Sequence, residues 1–187
     1  MSETIEKAKA AIEREDYDAA TELLRPLAHA DMADAEFLMG YLFFTSADVT
    51  KHDSRAWLER AAAKSHPEAL YYLARLGPTI DFGPPEDDVH RVFLVRAAEL
   101  GLAQAQRDLG CYYAIGEGGF PKDEVLGRLW YGRAAEQSHA DAQYNYGLML
   151  LQGEGGPAEP DAGMEWVRRA AAQGDSGATH FLSQIPA

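Results

Sequence analysis

The stretch Asp123–Gly153, DEVLGRLWYGRAAEQSHADAQYNYGLMLLQG, reads as a helix, a short turn, a second helix and a glycine that ends it. Its centre, Trp130-Tyr131-Gly132-Arg133-Ala134-Ala135, recurs through the chain. Counting back 36 or 37 residues at a time reaches Phe93 to Ala98 and Trp57 to Ala62, and counting forward 36 reaches Trp166 to Ala171. A period of this size is the signature of stacked helical hairpins, each too small to bury its own apolar face.

The second alanine of each pair serves as a ruler: Ala28, Ala62, Ala98, Ala135 and Ala171 mark successive second (B) helices. Five residues before it stand Leu23, Trp57, Phe93, Trp130 and Trp166, which read as core pegs. Twelve before stand Asp16, Thr50, Glu86, Asp123 and Glu159, whose oxygens suit a helix start, where they cap free N–H groups and meet the positive end of the dipole. Twelve after it stand Gly40, Ala74, Gly110, Gly147 and Ser183, small residues that let a neighbouring helix approach each first (A) helix. Arg60, Arg96, Arg133 and Arg169 recur two before the ruler, where their stems cover apolar surface near a helix C-terminus.

The spacing predicts a first hairpin over Glu3–Arg14 and Asp16–Ala30, with Pro26 inside its second helix, where a kink or a cost of about 3 kcal/mol is expected. Gly116-Glu117-Gly118-Gly119 and Gly153-Glu154-Gly155-Gly156 each end an A helix. The A helix from Pro67 must stop before Gly77-Pro78, and a loop is expected from Gly77 to Pro85. The chain therefore reads as one repeat domain with units at 1–30, 31–65, 66–101, 102–138 and 139–173 and a capping helix at 174–187. The fold class is all-α.

Acids outnumber Lys and Arg by 30 to 17 in 187 residues, a net charge of −13. Such a field repels phosphate backbones and anionic lipid, so nucleic acid and membrane partners are disfavoured, while a basic protein would be steered in. Cys111 is the single cysteine, which leaves no internal disulfide and fits a reducing compartment. No signal peptide or long apolar run is visible, so a cytoplasmic location is expected.

Ala105, Leu109, Gly110, Tyr113 and Gly116, followed by Asp123, Trp130, Ala134 and Ala135, carry a resemblance to the Sel-1-like repeat family of the tetratricopeptide superfamily. The next unit keeps Ala142, Gly147 and Gly153, with Tyr146 in place of the Leu and Leu150 in place of the Tyr. The resemblance covers about Ala33 to the C-terminus. It implies a right-handed α-solenoid, bacterial in type, whose members act mostly as adaptors and scaffolds and share no catalytic residue. Members that resemble secreted proteins carry a disulfide in each repeat; a chain with one cysteine does not resemble those.

Nothing here calls for an enzyme, a cofactor or a metal. The glycine turns follow no strand and lack the spacing of a phosphate loop, and His29, His52, His90 and His180 are scattered; His66 and His139 occupy equivalent inter-helix turns. At 100° per residue, the side of each A helix left free by the repeat pattern is Asp34, Leu38, Tyr41 and Thr45; Glu68, Tyr72 and Arg75; Gln104, Asp108, Cys111 and Ile115; and Asp141, Asn145 and Leu148. By analogy with tetratricopeptide-like solenoids, these residues pave the concave face. Their mix of acids, amides and aromatics suits a basic protein or peptide, with Tyr41 and Tyr72 as anchors and Asp34, Glu68, Asp108 and Asp141 setting charge. Phe181 and Leu182 belong to the terminal helix, which is expected to cap the last unit. The first expectation is a monomeric adaptor that holds one protein or peptide. An acidic inhibitor or immunity protein occluding a basic toxin or nuclease is the alternative, and an enzyme with an unrecognised site the third.

Overall fold

The structure is a computed structural model that describes residues 2–45, 51–76 and 87–185. Thr50, Glu86 and the expected Gly77–Pro85 loop lie outside the described residues. Within them are eleven helices and no strand: α1 (Ser2–Glu13), α2 (Tyr17–His29), α3 (Ala33–Thr45), α4 (Lys51–Ala63), α5 (Pro67–Leu76), α6 (Asp87–Glu99), α7 (Ala103–Ile115), α8 (Glu124–Glu136), α9 (Ala140–Gln152), α10 (Pro160–Ala172) and α11 (Ser176–Ser183). The chain divides into two compact units, Met1–Leu100 with α1 to α6 and Gly101–Ala187 with α7 to α11. Odd-numbered helices are the A helices of antiparallel pairs and even-numbered ones the B helices. In the first unit A helices touch A helices, α1 with α3 and α3 with α5; in the second, α7 touches α9.

The alanine pairs form the spine of each core, with the ruler alanine Ala171 only partly buried. Ala28, Ala61, Ala62, Ala97 and Ala98 in the first unit are buried, as are Ala134, Ala135 and Ala170 in the second. The small A-helix residues do what the spacing requires. A Cβ on Gly40 would stand 2.7 Å from Leu58, one on Gly110 2.7 Å from the Tyr131 ring, and one on Gly147 2.8 Å from the Gly163 carbonyl oxygen. Where Gly163 has no side chain, its counterparts in the first unit use theirs: the Ser54 hydroxyl donates to the Gly40 carbonyl at 2.8 Å, and His90 Nδ1 lies 2.7 Å from the Ala74 carbonyl.

Among the described residues, the helix ends follow the sequence except at Glu159. Asp16 accepts from the Ala19 N–H, and Asp123 from those of Val125 and Leu126; Gly116 and Gly153 end α7 and α9 at φ 79° and 74°. Glu159 is the N-cap of α10, but its carboxylate does not cap. It pairs instead with Arg128, whose guanidinium also donates to the Pro157 carbonyl at 2.8 Å. A charged partner from another helix outcompetes a neutral N–H for the same oxygen. The helix α2 runs past Pro26 to His29. Three residues after each ruler alanine the backbone turns left-handed, at Asp31, Ser65, Gly101, Ser138 and Gly174 (φ 61°, 61°, 95°, 64° and 87°). The turn from each B helix to the next A helix thus has one geometry, met by glycine only twice.

A polar lock at one register ties the end of a B helix to the A helix of its own pair and reaches back to a carbonyl of the preceding B helix. In the second unit, Gln137 Nε2 donates to Gln106 Oε1 at 2.8 Å and to the Gly101 carbonyl at 2.9 Å; Gln173 Nε2 donates to Gln143 Oε1 at 2.7 Å, and Gln143 Nε2 to the Ala135 carbonyl at 3.1 Å. The first unit replaces amides with charges. Glu36, fully buried, receives Lys64 Nζ at 2.6 Å and Arg60 Nε at 2.9 Å, while Arg60 also donates to the Ala28 carbonyl at 3.2 Å. A buried carboxylate is tolerable only with such partners.

Candidate functional site

In the first unit the free side of the A helices is a layer of aromatic rings. Phe37, Tyr41 and Phe44 descend α3 at spacings of four and three, which places them on one stripe. Tyr72 on α5 joins them, with ring centroids 5.9 Å from Phe37, 5.2 Å from Tyr41 and 5.2 Å from Phe44; it also meets Tyr71 at 5.8 Å. His66 stacks on Phe37 at 4.7 Å. Edge-on and tilted ring pairs hold such a layer in a fixed arrangement while leaving one surface open. Phe37, Tyr41, Phe44 and Tyr72 are all only partly buried.

Charge is distributed unevenly around these rings. The exposed Asp34 and the partly exposed Glu68 each reach a nitrogen of His66 at 3.3 Å. On α1, Lys9 is raised above its ordinary value, chiefly by its hydrogen bond to Glu6, with the fields of Asp34 and Glu68 adding to it. At the other end of α5, exposed Arg75 donates to the Tyr71 hydroxyl at 3.3 Å, its guanidinium 5.7 Å from that ring. Burial pushes the Tyr72 phenol up, Tyr41 adds to this, and Arg75 pulls it back.

Leu38 is not on this surface. Only 6% exposed, it packs with Ile5 and Ala8 of α1 and with Leu24 and Ala28. The offset that marks free surface on the other A helices points, on α3, into the contact with α1. Phe37, Phe44 and His66 are members the sequence reading missed; the stripe 37, 41, 44 was its available signal.

The second unit is different. Asp108 and Asp141 do not stand free: Arg107 Nη1 meets Asp108 at 2.9 Å and Arg107 Nε lies 2.7 Å from an Asp141 oxygen. Asn145 donates to both the carbonyl and the carboxylate of Asp141 at 2.8 Å. The charge expected to greet a basic partner here is thus matched within the chain. Gln104 is exposed. Cys111, expected on the free side, is half-buried against the cluster of Tyr131, Ala134, Ala142 and Met149. Burial, with Cys111 next to it, pushes the Tyr131 phenol far up. Asn145 and Leu148 line an open groove of about 480 Å³ with Ile115, Lys122, Glu124 and Tyr131. At the end of the unit, Phe181 of α11 packs edge-on to Tyr144 at 6.4 Å and, with Leu182, covers Val167 and Ala170.

The recurrent arginines and aromatics belong to the scaffold. The guanidiniums of Arg60, Arg133 and Arg169 lie 4.8, 4.5 and 4.7 Å from the ring centroids of Trp57, Trp130 and Trp166. Trp130 is buried, while Trp57, Phe93 and Trp166 are partly so. Among the described residues no three His, Cys, Asp or Glu side chains are grouped to hold a metal ion. No described helix is long and apolar enough to cross a membrane.

Comparison with known proteins agrees with this architecture. A search of the curated proteins finds no match. Among solved structures, the Sel1 repeat protein from Oxalobacter formigenes superposes with a TM-score of 0.81 at 27% identity, over 89% of this chain and 49% of that one. The protein c5321, a protective antigen present in uropathogenic Escherichia coli strains displaying an SLR fold, gives 0.74 at 30% identity over 86% and 35%. The present chain thus spans about half and about a third of their lengths. Helicobacter pylori cysteine rich protein B shares the fold at 18% identity, with a TM-score of 0.53 over 72% and 98%. The model of the Sel1 repeat matches residues 33–66, 103–139 and 140–175, more than half of the sequence. The chain belongs to the Sel1 repeat family, whose members bind other proteins and are generally interaction scaffolds of a typically non-enzymatic fold.

Proposed function

We propose that this chain is an adaptor that holds a protein or peptide on the free side of its A helices, with the ring layer of α3 and α5 as the main anchor. One observation carries this reading: Tyr41, Phe44 and Tyr72 form an ordered aromatic surface on adjacent A helices with carboxylates at its edge. Rigid aromatic area loses little conformational entropy on binding, and exposed acids at the rim favour encounter with basic partners. The partner is therefore basic where it meets the first unit. In the second unit, where Arg107 matches Asp108 and Asp141, contact is through Asn145, Leu148 and the groove they line. The adaptor acts as a monomer in the cytoplasm.

The test compares the wild-type chain with Asp34→Lys/Glu68→Lys and with a control of equal charge change on B helices, Glu59→Lys/Glu99→Lys. All three must unfold at similar temperatures. Capture from source-cell extract is expected to yield a partner held by the wild type and the control and lost by the A-helix variant. A partner retained by the A-helix variant, or lost equally by the control, refutes the assignment.

A further inference from the structure

The glycine turn that ends α9 is seated on the start of α8. Gly153 ends the helix in the left-handed region, and the Glu154 N–H returns to the Met149 carbonyl at 3.0 Å. The next residue, Gly155, packs so closely that a Cβ there would collide with the Glu124 carbonyl. This seat brings Glu154 near Lys122, whose ammonium reaches the Glu124 carboxylate at 2.8 Å. That hydrogen bond, first, holds Lys122 above its ordinary value, and the field of Glu154 adds to it. The same three residues are the charged lining of the groove of about 480 Å³ between the C-terminal ends of α7 and α9. Its apolar lining is aliphatic: Ile115 is 53% exposed, Leu148 is partly buried and Met149 is buried. The groove thus carries two carboxylates and one ammonium. Lys122 matches Glu124, and among the described residues Glu154 forms no ion pair, so the excess negative charge sits at Glu154.

Resting on the adaptor reading above, we propose that this groove takes a long-stemmed cation, a lysine or arginine side chain of the protein partner, with its methylenes on Ile115 and Leu148 and its charge at Glu154. Clefts of roughly 300–1,000 Å³ with an apolar lining and a few polar groups suit small occupants, and a side chain with an apolar stem and a charged tip uses both features at once. A purely apolar side chain would cover the aliphatic lining but take water from Glu154 without replacing it. A carboxylate would meet the excess negative charge. The second unit thus offers its own contact to a basic partner, through Glu154 and not through Asp108 and Asp141, which Arg107 matches.

The test uses three N-acetylated, amidated probe peptides: Ala-Lys-Ala, the same with 6-hydroxynorleucine for Lys, which keeps the stem and loses the charge, and the same with 2,4-diaminobutyrate, which keeps the charge on a stem two methylenes shorter. Binding is followed by methyl NMR shifts of Ile115 and Leu148 in the full chain at about 0.15 M salt, where long-range attraction to the acidic surface is screened. The lysine peptide is expected to shift both residues. Loss of the charge should weaken it up to about fivefold, and loss of the two methylenes up to about tenfold. In Glu154→Gln, an exposed substitution that leaves the aliphatic lining in place, the lysine and hydroxynorleucine peptides should bind alike. Glu117→Gln, the counterpart in the preceding glycine turn and not part of the groove, should keep the wild-type preference. If the wild-type chain binds the lysine and hydroxynorleucine peptides equally, or binds the short-stemmed peptide as well as lysine, the proposal is overturned. Ile115 and Leu148 unmoved by the lysine peptide also overturn it. The adaptor reading fails separately, by the capture experiment on Asp34 and Glu68.

Discussion

Glu36 gives the sharpest stability prediction, because the same register holds an amide elsewhere. Its carboxylate is fully buried and receives Lys64 at 2.6 Å and Arg60 at 2.9 Å. Glu36→Gln removes two charge-assisted hydrogen bonds, each worth about 1.5–3 kcal/mol. The loss is discounted because the Arg60 and Lys64 side chains keep 42% and 34% exposure and can rehydrate; about 2–3 kcal/mol is expected. Lys64→Gln alone leaves Arg60 on the carboxylate and should cost about 1–2 kcal/mol. The double variant, Glu36→Gln/Lys64→Gln, recreates the second unit's lock. The amide introduced just after α4 donates to the one introduced on α3 as Gln137 does to Gln106, and the α3 amide donates in turn to the Ala28 carbonyl as Gln143 does to that of Ala135. It should return to within about 1 kcal/mol of wild type, a coupling of roughly 2–5 kcal/mol. Urea unfolding followed by circular dichroism measures each midpoint, with the slope unchanged. A double variant as unstable as the two single changes summed would refute the equivalence of the charged and amide locks.

Four further outcomes follow from the packing. Trp130→Ala removes a buried ring and its Arg133 partner, and should cost about 3–5 kcal/mol in a urea melt. Gly110→Ala places a Cβ 2.7 Å from the Tyr131 ring, and should cost about 1–3 kcal/mol by overpacking; an unshifted midpoint would remove the close-approach argument. Ser138→Gly relieves a non-glycine at φ 64°, so a gain of a few tenths to about 1 kcal/mol is expected, left-handed strain outweighing glycine's added chain entropy. Lys64, then Arg60, hold Asp31 below its ordinary value of 3.8. A depressed carboxylate contributes stability that is fully present above that value and lost as pH falls through the folded one. Wild type should therefore lose more stability than Asp31→Asn as pH drops from about 5 to about 3, read from thermal midpoints.

The repeat was legible because its constraints are local and recur. Gly40, Gly110 and Gly147 sit where a helix crosses closely, and Asp16, Asp123, Gly116 and Gly153 act within a turn of their own positions. The site was less legible because its contacts cross between helices. Counting offsets put Leu38 on the free face, but α1 lies over it, and nothing in the α3 sequence says so. Arg107 stands next to Asp108, yet what matters is its reach to Asp141 on the next A helix. The polar lock does leave a trace in the sequence: Glu36, Gln106 and Gln143 share one register, and Lys64, Gln137 and Gln173 share another. Glu159 shows the limit of motif reading, since a residue in a capping position took a distant arginine instead.

The most direct test of the A-helix surface as the partner site is site-specific photo-crosslinking in the source cell. A benzophenone side chain is placed singly at Tyr41, Thr45 or Asn145 on A helices, and at Glu59, Leu129 or Arg168 on B helices, in variants that melt like wild type. The account predicts that the A-helix positions trap one and the same protein, most strongly from Tyr41, and that the B-helix positions do not. The same protein trapped from B-helix positions and not from Tyr41 would contradict it.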